Sequence, residues 1–287
     1  MVEPPKLRRG PSREQVYRRR LVALVVLALA LGAGGWAAWA AIKGDEETAP
    51  EPTTTVTAPK QVRVTLPEGL TVDQMARAAD SASRRITRAG YLQAARTQRL
   101  PAGFGSPKSP EGFLFPDTYF VFETDPAATL VEKQLENFRT KWAKVDLRYA
   151  HSKNLTDYDV LIIASMIEKE VVVARERPLV AAVIYNRLHN RMTLGIDATL
   201  RYGLDIPPTQ AITKRQLASS SPYNTRRFHG LPPTPIANPG LSSIEAAAHP
   251  AKVDYLYFVR KPDCRSHFFT ASADAFLAYT RRGLTDC

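Results

Sequence analysis

Cysteine and histidine are scarce in this 287-residue chain, with two of the first and five of the second. Two cysteines cannot build a disulfide-dense scaffold or a thiolate metal centre. The histidines (His151, His189, His229, His249 and His267) are scattered without ligand spacing, so no metal and no cofactor are expected. Acid is also short, at 28 Asp and Glu against 39 Lys and Arg, for a net charge of +11. No internal repeat and no nucleic-acid-binding motif accompanies that surplus, so nucleic acid is not the expected partner. An anionic polymer or a lipid surface suits the charge better. Long apolar runs are missing too, with one exception near the N-terminus.

That exception is Leu21–Ile42, 22 consecutive uncharged residues rich in Leu, Val and Ala. As a helix it would be roughly 33 Å long, enough to cross a bilayer. Arg18, Arg19 and Arg20 precede it, and Asp45, Glu46 and Glu47 follow. The positive-inside rule then places residues 1–20 in the cytoplasm and everything after Lys43 outside. A cleaved leader ending near Ala38-Trp-Ala40 is the competing reading. The run is longer than an ordinary leader core and follows a long charged segment, which favours an uncleaved single-pass anchor in the cell membrane. Residues 43–60, rich in Pro, Thr and acid, cannot bury a core and read as an extended tether. Most of the positive excess falls on residues 61–287, at about +8. In that exported setting Cys264 and Cys287 are expected to pair, pinning the C-terminus to a nearby hairpin, with two free thiols as the alternative.

Past the tether, VRVTL (62–66) alternates like a strand and ends at PEG (67–69). Thr71 can cap a helix running through Ala79, and residues 82–99 read as further helix. EGFLFPDTY (111–119) suits an ordered turn. Leu130, Val131, Leu135, Phe138 and Trp142 recur at helical spacing. Thr156 with Asp159 forms a capping-box pattern, as do Ser242 and Glu245, and Pro178 opens another helix through His189. YLYFV (255–259) and HFFT (267–270) flank Lys261-Pro-Asp263 as a hairpin, and Ser272 caps a last helix through Tyr279. The fold class expected is α+β, helix-rich with small β elements.

The segment LIIASMIEKE (161–170) carries the chemistry. On a helix, Glu168 shares a face with Leu161, Ala164 and Ser165. Small and apolar neighbours leave a carboxylate poorly solvated, which disfavours its charged form and suits a general acid near neutral pH. Glu170 is rotated by about 200° and cannot share that face. A plain solvated helix tip is the competing reading for both.

Seven strings in order then resemble one family: EGFLFPDTY (111–119), ASMIEKE (164–170), VAAVIYNRL (180–188), DATLRYG (197–203), SPYNTR (221–226), GLPPTPIANPG (230–240) and AAAHPAKVDYLYFV (246–259). Together they are similar to the YceG-like family of endolytic murein transglycosylases. The resemblance implies a lytic-transglycosylase-like catalytic domain over 126–287, a partial LysM-like segment over 61–125, and the single anchor before them. It implies cleavage of the β-1,4 bond after N-acetylmuramic acid in peptidoglycan glycan strands, leaving 1,6-anhydro ends, and penicillin-binding synthases as candidate partners. The first Glu of EKE, Glu168, is the implied acid. Such an enzyme needs one carboxylate only, because the attacking hydroxyl belongs to the substrate, whereas ordinary glycosidases use two.

Supporting positions are Asn224, to hydrogen-bond an N-acetyl or hydroxyl group, and Tyr223, to stack on a sugar. Asp197, Thr199 and Tyr202 are candidate cleft residues, and His267 a candidate to orient Glu168 or substrate. Each has a structural alternative: a turn-capping Asn, local hydrogen bonds, a satisfied strand histidine. Glu170 is expected to pair or cap, and the Pro-rich loop 230–240 to form a stiff wall. The chain departs from the family in having GIDAT (195–199) where Gln-x-Asp-Pro-Thr is common, and in a short N-terminal module. A hydrolytic muramidase using Asp197 and a non-catalytic wall-binding scaffold are the rival functions. An aminodeoxychorismate lyase would need pyridoxal phosphate and cytoplasmic substrates, against the exported domain.

Overall fold

The computed structural model describes residues 60–283, together with Tyr17. The apolar run 21–42, the tether up to residue 59 and Cys287 lie outside the described residues. Among those described, no helix is long and apolar enough to cross a membrane.

Strand β1 (Gln61–Thr65) pairs antiparallel with β2 (Thr118–Phe122), Val64 opposite Tyr119 and Val62 opposite Val121. Alternation buries Val64, Tyr119 and Val121 and leaves Phe120 and Phe122 outside. Between the strands lie α1 (Val72–Ala82) and α2 (Arg88–Thr97). Thr71 caps α1, as read, Gln74 returns the bond to complete a capping box, and the helix runs three residues past Ala79. Its buried set, Val72, Met75, Ala76 and Ala79, has the spacing of a single apolar stripe.

The larger part is helical: α3 (Ala127–Trp142), α4 (Arg148–Ser152), α5 (Asp157–Glu170), a 3₁₀ turn (Ala174–Glu176), α6 (Arg177–His189), α7 (Asp197–Gly203), α8 (Lys214–Leu217), α9 (Leu241–Ala248) and α10 (Ala273–Thr280). The hairpin β3 (Tyr257–Arg260) and β4 (His267–Thr270) precedes α10. One hydrophobic core runs from Val64 to Ala248. The architecture is a helix-rich α+β domain with two small two-stranded sheets.

Helix α5 is the centre. The Thr156–Asp159 box opens it, and every residue from Val160 to Ile167 is buried, so no side of its middle meets water. Each fully buried Leu or Ile there contributes roughly 2 kcal/mol of apolar burial. The loop 235–240, buried throughout, lies along α5. A buried loop must satisfy its backbone, and this one borrows side chains to do so. Ile236 N–H donates to Ser165 Oγ (3.0 Å), Asn238 N–H to the Leu70 carbonyl (2.9 Å), and Gly240 N–H to Glu168 Oε2 (3.1 Å).

Two local readings change. Ser242 does not cap α9: the helix begins earlier, with Gly240 at the N-cap and Ser243 buried inside it. The helix expected over 82–99 is shorter, since α2 covers only Arg88–Thr97.

Candidate active site

The two carboxylates at the end of α5 face different walls. Glu168 is half-buried and turns toward the N-terminal turn at residues 67–69 and the start of α9. Gly69 packs close to its Cγ, and a Cβ at Gly69 would stand 3.5 Å from that atom. Lys169 Nζ donates to the Gly69 carbonyl at 3.1 Å. Glu68, from the same turn, presses its carboxyl onto the Gly240 backbone. Desolvation there raises the Glu68 pKa, the Glu168 charge raises it further, and Arg177 opposes both.

Glu170 turns toward α7. Burial raises its pKa, and the neighbouring Asp197 carboxylate adds to the rise. Arg260 from β3, the backbone N–H of Ala198 and Arg226 pull the other way. Asp197 is itself held by Arg226, whose Nε donates to Oδ1 at 2.6 Å. The result is a carboxyl with a raised pKa set among a second carboxylate, a backbone donor and two guanidinium groups. That is the electrostatic arrangement a general acid needs.

Beyond α7 the polar groups continue. Tyr202 donates its hydroxyl to Glu111 Oε2 at 3.3 Å, and its ring meets Tyr223 edge-to-face at 5.2 Å. Tyr223 and Thr234 share a hydroxyl hydrogen bond of 2.8 Å. Glu111 is buried, accepts from Val72 N–H and from Asn238 Nδ2 (2.9 Å), and burial pushes its pKa up to about 8. Asn238 spends its whole side chain here, its Oδ1 taking the N–H groups of Gly112 (2.9 Å) and Leu114 (3.0 Å).

The remaining candidate residues are engaged structurally. Asn224 is fully buried and gives both amide hydrogens to the Leu217 and Ser219 carbonyls (2.9 and 2.8 Å), so its amide nitrogen is committed to the loop. Thr199 is fully buried and bonds to Ile196 O and Thr225 Oγ1. His267 is 4% exposed, and its Nδ1 lies 2.7 Å from Glu176 Oε2 while its N–H meets Oε1. That pair fastens the β3–β4 hairpin to the 3₁₀ turn and does not reach Glu168. Cys264, in the hairpin turn, is disulfide-bonded, and its expected partner Cys287 lies outside the described residues.

Asp197, Tyr202 and Tyr223 are therefore the candidates that gather near an α5 carboxylate or its neighbours. Sequence reasoning missed Glu68, Arg226, Arg260, Glu111 and Asn238 as site residues. Glu111 and Asn238 each stood inside a recognised string, but only their meeting across 127 positions gives them a role. Among the described residues, no group of three or more His, Cys, Asp or Glu is placed to hold a metal ion. An open groove of about 620 Å³, lined by Tyr149, Tyr185, Asn186, Lys252 and Tyr255 among others, contains none of the α5 carboxylates.

Residues 44–282 match the YceG-like family. The chain is 37% identical over 151 residues to the endolytic murein transglycosylase of Bacillus subtilis (strain 168), covering 53% of this chain and 42% of that protein. It is 35% identical over 156 residues to the endolytic murein transglycosylase of Streptococcus pneumoniae (strain R6), covering 52% of this chain and 28% of the relative. The matches thus span less than half the length of these curated relatives. A 2.6 Å crystal structure of a yceG-like protein from Listeria monocytogenes is similar with a TM-score of 0.67 and 29% identity, over 76% of this chain and 75% of that one.

Proposed function

The chain belongs to the YceG-like family, and from that premise we propose that it is an endolytic murein transglycosylase whose proton donor is Glu170. The reading is supported by the relatives' activity and by one observation above all. Glu170 is a carboxylate with a raised pKa that also touches a backbone donor and faces a second, fixed carboxylate. The apolar face of the helix favours Glu168, but in the fold that residue caps the turn before α9. The environment that suits acid catalysis surrounds its neighbour two residues on.

The chemistry follows from the residues. Protonated Glu170 delivers its proton to the glycosidic oxygen as the C–O bond breaks. The resulting carboxylate is stabilised by Ala198 N–H, Arg226 and Arg260. It then removes the proton from the C6 hydroxyl of the same muramoyl residue, whose oxygen attacks the anomeric carbon. The anhydro ring closes and Glu170 is again protonated, so no water is consumed. Asp197, anchored by Arg226, places a negative charge near the oxocarbenium-like centre. An Asp197 tied to a guanidinium is a poorer base or nucleophile than a hydrolytic muramidase would want. In this reading Leu21–Ile42 anchors the enzyme in the bacterial cell membrane, and residues beyond 43 work outside on glycan strands, with penicillin-binding synthases as neighbours.

Digestion of purified sacculi with the full chain, followed by mass spectrometry of the new ends, tests the proposal. Anhydro ends are expected. Reducing muramic acid ends, heavier by one water, would indicate hydrolysis, and no new ends would favour the scaffold.

A further inference from the structure

Helix α7 is held at both ends by carboxylates from distant parts of the chain. At its first turn the Ala198 N–H donates to Glu170. At its last turn the Tyr202 hydroxyl meets Glu111. Glu111 is 4% exposed, and its two oxygens also take the Val72 N–H at 3.1 and 3.2 Å and Asn238 Nδ2 at 2.9 Å. Nothing in the transglycosylase chemistry uses this buried acid.

We infer that Glu111 is a positioning residue for the reaction: through Tyr202 it seats α7 so that Ala198 and Asp197 stay aimed at Glu170. This rests on reading Glu170 as the proton donor. A helix of seven residues has little stability of its own, so its placement depends on what grips it. Misplacing a catalytic environment by about 1 Å costs on the order of a hundredfold in rate. Glu111 and Asn238 supply a fixed anchor, because the pair ties together the start of α1, the 111–114 turn and the buried 235–240 loop.

The anchor works with Glu111 neutral. A neutral carboxyl gives its hydrogen to the Tyr202 oxygen, the reverse of the bond that Tyr202 donates to the ionised group. An ionised Glu111 can only accept, so Tyr202 must then turn its hydroxyl to Oε2. The groups facing Glu111 are Val72 N–H from α1, Tyr91 from α2, Lys169 from α5, Tyr202 from α7 and Asn238 from the loop. Burial outweighs the donors and Lys169 among them, so the reversal falls near pH 8.

The test uses the full chain, as wild type, Glu111→Gln and Tyr202→Phe, with glycan cleavage followed from pH 5.5 to 9.5. The amide introduced by Glu111→Gln can mimic the neutral acid, accepting from Val72 and Asn238 and donating to Tyr202. Expected results are an alkaline loss of kcat centred near pH 8 in wild type, absent in Glu111→Gln, which keeps at least about half the neutral-pH rate. Tyr202→Phe lowers kcat about tenfold with KM within about twofold. An unchanged alkaline limb in Glu111→Gln, or a Tyr202→Phe rate within about twofold of wild type, overturns the inference. Amide hydrogen exchange at Ala198 supplies a readout independent of activity. Tyr202→Phe should speed exchange there about tenfold with the core amides of α5 unchanged. If the wild-type chain cleaves no glycan, the transglycosylase reading fails and the exchange result decides this one: unchanged protection at Ala198 rejects it.

Discussion

Glu168 and Glu170, two positions apart on α5, point to different partners. The first accepts the Gly240 N–H at 3.1 Å, and the second accepts the Ala198 N–H beside Asp197. Their rotation of about 200° around the helix puts one against the N-terminal turn and α9 and the other against α7. A single helix end therefore carries one carboxylate bonded to the start of α9 and one whose pKa burial raises.

The fastening role makes Asn238 a stability residue. It is fully buried, and its side-chain hydrogen bonds go to buried Glu111, Gly112 and Leu114 and to the half-buried Leu70. Asn238→Ala leaves several buried polar groups unpaired, and a loss of about 3 kcal/mol or more is expected in urea unfolding. A loss below about 1 kcal/mol would mean that water replaces the amide.

Gly112 is a tighter constraint. Its φ is +91°, and an added Cβ would lie 2.7 Å from Pro235 Cγ and 3.2 Å from Leu161 Cδ2. Backbone strain and overlap with a stiff proline ring combine, so Gly112→Ala should cost about 3 kcal/mol or more, or leave the chain insoluble. Thermal melting compared with Gly103→Ala, where φ is +97° but no atom lies within 4 Å, separates the steric part from the strain.

Glu111 predicts a pH dependence of stability. Its folded pKa of about 8 lies above the ordinary 4.5, so the folded chain keeps a proton that the unfolded chain has released. Stability therefore falls as pH rises from about 4.5 to about 8 and levels off above, by up to about 5 kcal/mol if this group acts alone. Urea midpoints at pH 5, 7 and 9 should decline in wild type. In Glu111→Gln that decline should flatten.

The His267–Glu176 pair is buried at 2% and 6% side-chain exposure. Replacing His267 by Ala strands a buried carboxyl, with an expected cost of about 3 kcal/mol. Because the hairpin also carries Arg260, glycan cleavage should weaken in parallel with hairpin protection in hydrogen exchange. Activity lost with protection intact would instead place His267 in the chemistry.

Local signals made much of this fold legible. The Thr71 cap, the Thr156 box, the apolar spacing in α3 and the β3–β4 hairpin all rest on interactions within a few residues, and each is present. The pairing of β1 with β2 joins residues more than fifty positions apart, and no local pattern marks it. Ser242 and Glu245 have the spacing of a box, yet Gly240 takes the cap because the loop before it is already fixed by Glu168 and Asn238. The site follows the same rule. Helical periodicity reveals only neighbours on the same helix, which at Glu168 are apolar. A residue in the last turn takes its environment from other elements, and for Glu170 those are α7, Arg226 and β3.

The most direct measurement compares Glu170→Gln with Glu168→Gln on purified glycan strands, counting anhydro ends after each digestion. At least about a hundredfold loss is expected for Glu170→Gln and no more than a few-fold loss for Glu168→Gln, with both variants folded. Anhydro ends released by Glu170→Gln at near the wild-type rate, with Glu168→Gln inactive, would contradict the assignment of the proton donor.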